Sequence, residues 1–194
     1  TEALIAKQQR IKTGLMQDLL TRGIDEHGNL RSEKTHPFKD SSLGRIPVEW
    51  EVATFDTRVK SSAFGPRFPS TAYSSNGNLG LLRTTDMDEY GNIAYETLPR
   101  AKLDAKAFQN HFLEKGDLLI SRSGTIGIPA IFDGFEVPVI PGAFLIRFRL
   151  ESEMTDPSYW RAYFNWNSGR YRIVSLAEGG VQKNLRASAV NRML

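Results

Sequence analysis

Not one cysteine occurs among the 194 residues, which excludes disulfides and thiolate-bound metals from this chain. Histidine is nearly as scarce. His27, His36 and His111 are scattered, and no two stand at the i, i+4 spacing that aims a pair of imidazoles from one helix face at a metal. No run approaches the roughly 20 apolar residues that a membrane-crossing helix needs. No charged-then-apolar leader opens the chain, and no G-x-x-x-x-G-K-[ST] phosphate loop occurs in it. What is there, 40% hydrophobic and 24% charged residues, is the composition of a folded globular chain. A reducing, cytoplasmic setting is the expectation, with no cofactor and no metal.

Charge is modest in sum, +3, but unevenly placed. From Ser158 onward Arg161, Arg170, Arg172, Lys183, Arg186 and Arg192 stand against Glu178 alone, whereas residues 46–157 carry eleven basic and fifteen acidic side chains. A basic end on a near-neutral body is a footprint for a polyanion or an ordinary solvated face.

The spacing predicts a helix over residues 1–22. Leu4, Gln8, Ile11, Leu15 and Leu19 share a narrow stripe, polar residues fill the other faces, and Gly23 stands where a left-handed C-cap is wanted. So thin an apolar seam needs a partner helix to cover it, as in a coiled coil. Residues 23–45 are polar and turn-rich and read as a linker, and a globular domain over 46–194 follows. Its predicted strands are Leu79–Thr85, Ile93–Glu96, Leu118–Arg122, Pro129–Phe132 and Ala143–Leu150, with Asp88–Asn92 as a hairpin turn around Gly91. Helices are predicted at Asp104–Leu113, at Asp156–Asn167 behind an Asp cap and a Pro at N1, and after Ser188. Strands and helices do not alternate regularly, so the fold class is α+β, with mixed and antiparallel short strands. No internal repeat is visible.

Catalytic motifs fall short. Asp156-Pro157-Ser158-Tyr159 lacks the second proline of the [DN]-P-P-[YFW] string that holds a flipped adenine, and helix initiation explains its acid-proline pair. In the loop that starts at Asp86, Tyr90 takes a ligand position and Thr97 stands where calcium needs a bidentate Glu. Ser123 lacks a G-x-S-x-G elbow. The chain reads as a binder rather than an enzyme.

Three segments carry groups suited to nucleic acid. The loop 61–78 displays Arg67, Tyr73 and Asn76, where Arg suits guanine and Asn suits adenine; the alternative is a disordered surface loop. Ser121-Arg122-Ser123-Gly124-Thr125 offers hydroxyls, a guanidinium and backbone N–H groups to phosphates, or holds a salt-bridged Arg in a tight turn. Gly179-Gly180-Val181-Gln182-Lys183-Asn184 offers the amide edges of Gln182 and Asn184 and the ammonium of Lys183, or is a hinge. The run Tyr159, Trp160, Tyr163, Phe164, Trp166 has helical spacing and reads as core rather than a base-stacking platform. Arg147 and Arg149 share a strand face with Leu145 and read as a solvated edge.

Taken in order, these strings resemble a known family. Leu15–Gly23, His36–Ser41, Arg45–Glu51, Leu81–Met87 (which holds Arg83), Gly91-Asn92-Ile93, Gly116–Gly127, Ile140-Pro141-Gly142 and Gly179–Asn184 are similar to successive elements of type I restriction-modification specificity subunits. They match the second target recognition domain and part of the central conserved helix before it. The resemblance implies a non-catalytic subunit that reads one half of a split double-stranded DNA target. It implies as partners adenine-N6 modification subunits, restriction subunits, and a second recognition domain with its own conserved helix. With Thr1 at one end and Met193-Leu194 at the other, the chain is expected to be a fragment or a half-size form. A protein–protein adaptor without DNA readout stays open beside this reading.

Overall fold

A computed structural model describes residues 2–151, 153–180 and 183–194. The described residues divide into two compact units, residues 2–54 with Leu194, and residues 55–193.

In the first unit, α1 (Glu2–Thr21) ends as the glycine predicts. Gly23 takes φ +66°, and its N–H turns back to the carbonyls of Asp18 and Leu19. No residue of α1 is buried: Leu4, Ile11 and Leu15 are more than half exposed, so the stripe that calls for a partner helix is open here. The polar stretch after it carries structure of its own. Strand β1 (Phe38–Ser41) pairs antiparallel with β2 (Gly44–Pro47), and the Ser41 hydroxyl closes the turn by donating to the Gly44 carbonyl. Polar composition hid this hairpin, because its support comes from ion pairs such as Arg45 to Glu33 and Asp40 rather than from apolar alternation.

The second unit holds two sheets. One has the order β3-β9-β6-β7, antiparallel throughout, from β3 (Val59–Phe64), β6 (Leu118–Ser121), β7 (Pro129–Ile131) and β9 (Leu145–Leu150). The other has the order β5-β4-β8, from β4 (Leu79–Leu82), β5 (Arg100–Ala101) and β8 (Val139–Pro141), with β4 and β8 parallel. The expected α+β class with mixed and antiparallel short strands therefore holds. Both faces of β6 and β9 are covered. Leu118, Ile120, Ile146, Phe148 and Leu150 pack with Phe55, Phe164, Ile173 and Val190, whereas Leu119 and Leu145 pack with Leu82, Leu98, Ala130 and Val139. Burial on both faces is why β6 reads as an apolar run, whereas on β9 Arg147 and Arg149 stand on one covered face and are satisfied there by hydrogen bonds.

Helices α2 (Ala105–Phe108), α3 (Pro157–Asn165), α4 (Asn167–Ser175) and α5 (Ala187–Asn191) complete the unit. Asp156 caps α3 by accepting from the Ser158 N–H at 2.7 Å, as expected. The chain turns at Trp166, where ψ is 143°, and starts α4 at once. Gly169 makes this close approach possible, since a Cβ there would stand 2.0 Å from the Tyr163 carbonyl oxygen. Most of the aromatic run packs on the core as read: Phe164 is buried, and Trp160 and Tyr163 lie partly buried against it. Trp160 and Phe164 meet Phe55 with ring centroids 4.5 and 5.7 Å apart, whereas Tyr159 is 47% exposed.

Three expectations need correction. Ile93–Glu96 is no strand; only a bridge from Met87 to Ile93 forms before a single helical turn at Tyr95–Thr97. The helix expected over Asp104–Leu113 is one turn of α2 followed by a tighter turn at Gln109–His111. Arg147 and Arg149 are not a solvated edge, because residues 110–117 cover their face. Arg147 is 6% exposed and donates to the carbonyls of Asn110 and Phe112, and Arg149 donates to Asp117 at 3.0 Å and pairs with Glu114 at 2.7 Å. Burial, then the neighbouring Arg149 charge, pulls Arg147 below the usual guanidinium range, while the hydrogen bond to Asp117 raises Arg149.

One five-residue turn is used twice. Asp25 accepts the N–H groups of His27 and Asn29, with Gly28 at φ +80°; Asp88 accepts those of Tyr90 and Asn92, with Gly91 at φ +78°. The copies differ in surroundings. Arg161 donates to Asn92 and Tyr90, Asn165 donates to Tyr90, and a Cβ on Gly91 would stand 1.7 Å from the Pro129 carbonyl, whereas nothing lies within 4 Å at Gly28. Gly28→Ala is therefore expected to cost only the strain of its backbone angle, about 1 kcal/mol, and Gly91→Ala about 3 kcal/mol or more. Thermal melting of both variants checks this, and equal losses would contradict it.

Candidate nucleic-acid interface

Strand direction brings the start of the 61–78 loop and the 121–125 segment to one end of the second unit, while Tyr73, later in that loop, bridges Ala101 at the entry to β4. In the first sheet Phe64 lies opposite Ile146 and Ser121 opposite Leu145, so β3 and β6 both end where β9 begins. In the second sheet parallel pairing ends β4 and β8 together, at Leu82 and Pro141. Backbone hydrogen bonds join the exits: Gly142 N–H to the Leu82 carbonyl (2.7 Å), Gly65 N–H to Leu145 (3.2 Å), and Arg122 N–H to Phe144 (2.8 Å). A Cβ on Gly65 would stand 2.1 Å from the Gly142 carbonyl oxygen, so the chain leaving β3 lies directly on the chain leaving β8.

The third segment joins the second. The Leu185 N–H donates to the Arg122 carbonyl at 3.0 Å, and the Ser123 hydroxyl donates to the side-chain oxygen of Asn184. These partners are 61 residues apart. Gln182 and Val181 lie outside the described residues. Lys183 is exposed.

Several predicted groups turn out to build this surface rather than to face outward. Ser121 is 1% exposed, and its hydroxyl donates to the Thr125 carbonyl and accepts from the Ile128 N–H. Its expected contact with DNA is corrected: the hydroxyl ties the turn that carries Arg122. Ser123 is 4% exposed and spent on Asn184, whose side-chain oxygen it occupies, so both become a clasp between segments. Arg83 forks onto the buried carboxylate of Asp86 through Nε (3.0 Å) and Nη2 (2.7 Å), with its side chain still 43% exposed. Two residues of the basic end are likewise internal ties: Arg161 holds the Tyr90–Asn92 turn, and Arg170 donates to the Gly127 carbonyl at 3.0 Å. Arg186 pairs with Glu178. Compositional charge overcounts a surface whenever arginines grip backbone carbonyls within the fold.

What remains outward is aromatic and cationic. Arg67 and Asn76 are exposed, and Tyr73 is 44% exposed beside Phe68. Arg122 lies 4.2 Å from the centroid of the Phe64 ring. Phe64 and Phe144, 40% and 54% exposed, are aromatic residues that the sequence reading passes over. Alternation across the end of β3 is the signal for Phe64; the polar run Lys60-Ser61-Ser62 before it concealed the strand. A polar hollow of about 200 Å³ among Lys60, Glu114, Asp117, Arg149 and Glu151 has charges of both signs, with Asp117 already held by Arg149. It offers a polyanion no consistent field.

No protein-family model matches the chain. It is 28% identical over 158 residues to the MjaVIII type I restriction enzyme specificity subunit of Methanocaldococcus jannaschii, a match that covers 77% of this chain and 34% of that protein. It is 32% identical over 85 residues, 43% of this chain, to the putative MjaX specificity subunit of the same organism, of which 18% is covered. Among solved structures, the HsdS subunit from Thermoanaerobacter tengcongensis has a TM-score of 0.59 at 15% identity, covering 95% of this chain and 41% of the other. A chain from a type I restriction-modification system, solved for its assembly and conformational transition, has a TM-score of 0.61 at 16% identity and covers all of this chain and 41% of its own length. The fold is thus the mixed α+β fold found in specificity subunits. In sequence the chain is similar to type I restriction enzyme specificity subunits, and its match spans about a third of the MjaVIII protein.

If Ser123 and Asn184 form one clasp, Ser123→Ala costs about 1 kcal/mol of stability and Asn184→Ala adds little to it. A double-mutant cycle by chemical denaturation measures the coupling; additive losses would show that the two segments are not joined.

Proposed function

We propose that this chain reads bases in one half of a bipartite DNA target, as the recognition part of a type I specificity subunit that directs adenine methylation and restriction by partner subunits. One observation carries the reading. Phe64–Gly65, residues 121–125 and residues 183–184, distant in sequence, meet at the strand ends where Arg122 and Lys183 remain available, and Arg67, Tyr73 and Asn76 are exposed on the loop that leaves β3 there. The similarity to specificity subunits supports it from a different direction. In this reading Arg122, Arg67 and Asn76 meet base edges, with Gln182 as a further reader. Lys183, Arg172, Arg192 and the exposed part of Arg83 meet phosphates, and Tyr73 lies against sugar or base.

The domain boundaries belong to the same proposal: helix 1–22 as a spacer, 23–45 as a connection, and 46–194 as the recognition domain. The open stripe Leu4, Gln8, Ile11, Leu15 and Leu19 supports docking of α1 against a second conserved helix, which sets the separation of two recognition domains. Adenine-N6 modification subunits and restriction subunits assemble on that framework in the cytoplasm. They supply all covalent chemistry, and this chain itself binds no cofactor.

Selection from a randomised duplex pool is expected to enrich one short motif. Lys183→Ala should leave that motif unchanged, weaken every sequence about equally, and lower the slope of log affinity against log salt by about one. Absence of any salt-dependent DNA binding would favour the adaptor reading instead.

A further inference from the structure

We infer that Phe64 is a positioning residue for DNA readout: its ring forms a shelf that holds the Arg122 guanidinium flat for bidentate contact with a guanine. The inference rests on the proposed DNA reading and deepens it. In the sheet order β3-β9-β6, Phe64 and Arg122 leave the two strands that flank β9, so Arg122 reaches across the start of β9 to lie over the ring. Both ends of that span are anchored. Gly65 is pressed on the Gly142 backbone just after Phe64, and the Arg122 N–H and carbonyl are bonded to Phe144 and Leu185.

The side chain itself is constrained in an uncommon way. Nε of Arg122 is buried without a hydrogen-bond partner among the described residues, and no carboxylate there pairs with its charge. A desolvated donor on a cation is unfavourable unless something else stabilises the charge, and the π face of Phe64 does so. The ring thereby fixes a planar fork and spares it the loss of rotamer freedom on binding. Arg83 is committed to Asp86, whereas Arg122 is held on the Phe64 ring and has no ion pair among the described residues. A held planar fork matches O6 and N7 of guanine in the major groove. Phosphate binding asks for charge and tolerates many orientations. Phe64 has no equivalent role in the core, being 40% exposed at the end of an edge strand.

The test compares the wild-type chain with Phe64→Leu, Phe64→Tyr and Arg122→Lys, first by NMR of the Arg122 Nε–H and then by selection from a randomised duplex pool. The Nε–H should be shifted upfield by the ring and protected from exchange in the wild type and in Phe64→Tyr, and should lose the ring shift in Phe64→Leu. Selection should give a motif with one fixed guanine that Phe64→Tyr keeps. Arg122→Lys and Phe64→Leu should both relax discrimination at that position by about tenfold, leaving the other positions unchanged. A Phe64→Leu motif equal to the wild-type motif, with Arg122→Lys altered, overturns the shelf and leaves DNA reading intact. Uniform weakening on all sequences assigns Arg122 to phosphate and overturns the guanine contact. A wild-type chain that enriches no motif removes the DNA reading itself, and the guanine role falls with it. Phe64→Tyr, which keeps an aromatic face, separates loss of the shelf from loss of fold.

Discussion

Burial of β6 and β9 on both faces is the constraint on which the rest of the second unit depends. Leu118, Ile120, Ile146 and Phe148 face the helices, and Leu119 and Leu145 face the second sheet, so neither strand can slip by one residue without exchanging its two cores. That register places Ser121 opposite Leu145 and Phe64 opposite Ile146. The turn after β6 and the exit of β3 are thereby aligned to within a residue. A surface built on strand ends inherits the rigidity of the sheet behind it.

Arginine is put to three different uses in this scaffold. Arg147 and Arg149 are interior struts that satisfy the carbonyls and carboxylates of the 110–117 segment. Arg83, Arg161 and Arg170 tie turns to their surroundings, through Asp86, Asn92 and Gly127. Arg122 rests on an aromatic ring. The first two uses favour arginine because its fork bonds several acceptors at once. They also consume the donors that a count of basic residues would credit to a DNA-binding face. Net charge is therefore a weak guide to this surface, and the accounting of partners is a better one.

Much of the local structure was legible in the residues. The stripe and Gly23 mark both the length and the end of α1; Asp156-Pro157 marks the start of α3; Gly91 marks a turn that needs positive φ. Spacing also separated core from surface in the aromatic run, because Trp160 and Phe164 recur at helical intervals and indeed pack on Phe55. The polar strand β3 and the proline-bearing β8 were not legible. Each is defined by a partner far away in sequence, Val59 by Leu150 and Val139 by Gly80, rather than by its own pattern.

By itself the sequence determined which segments turn, which coil into helices, and which run apolar, since these follow from backbone angles and periodicity within a few residues. It also carried, in ordered short strings, the similarity to specificity subunits. Only the tertiary structure decided what each polar side chain faces. Ser123 meets Asn184 and Arg122 meets Phe64 because strand register brings them together, and hydrogen bonds and cation–π contacts act over only a few ångströms.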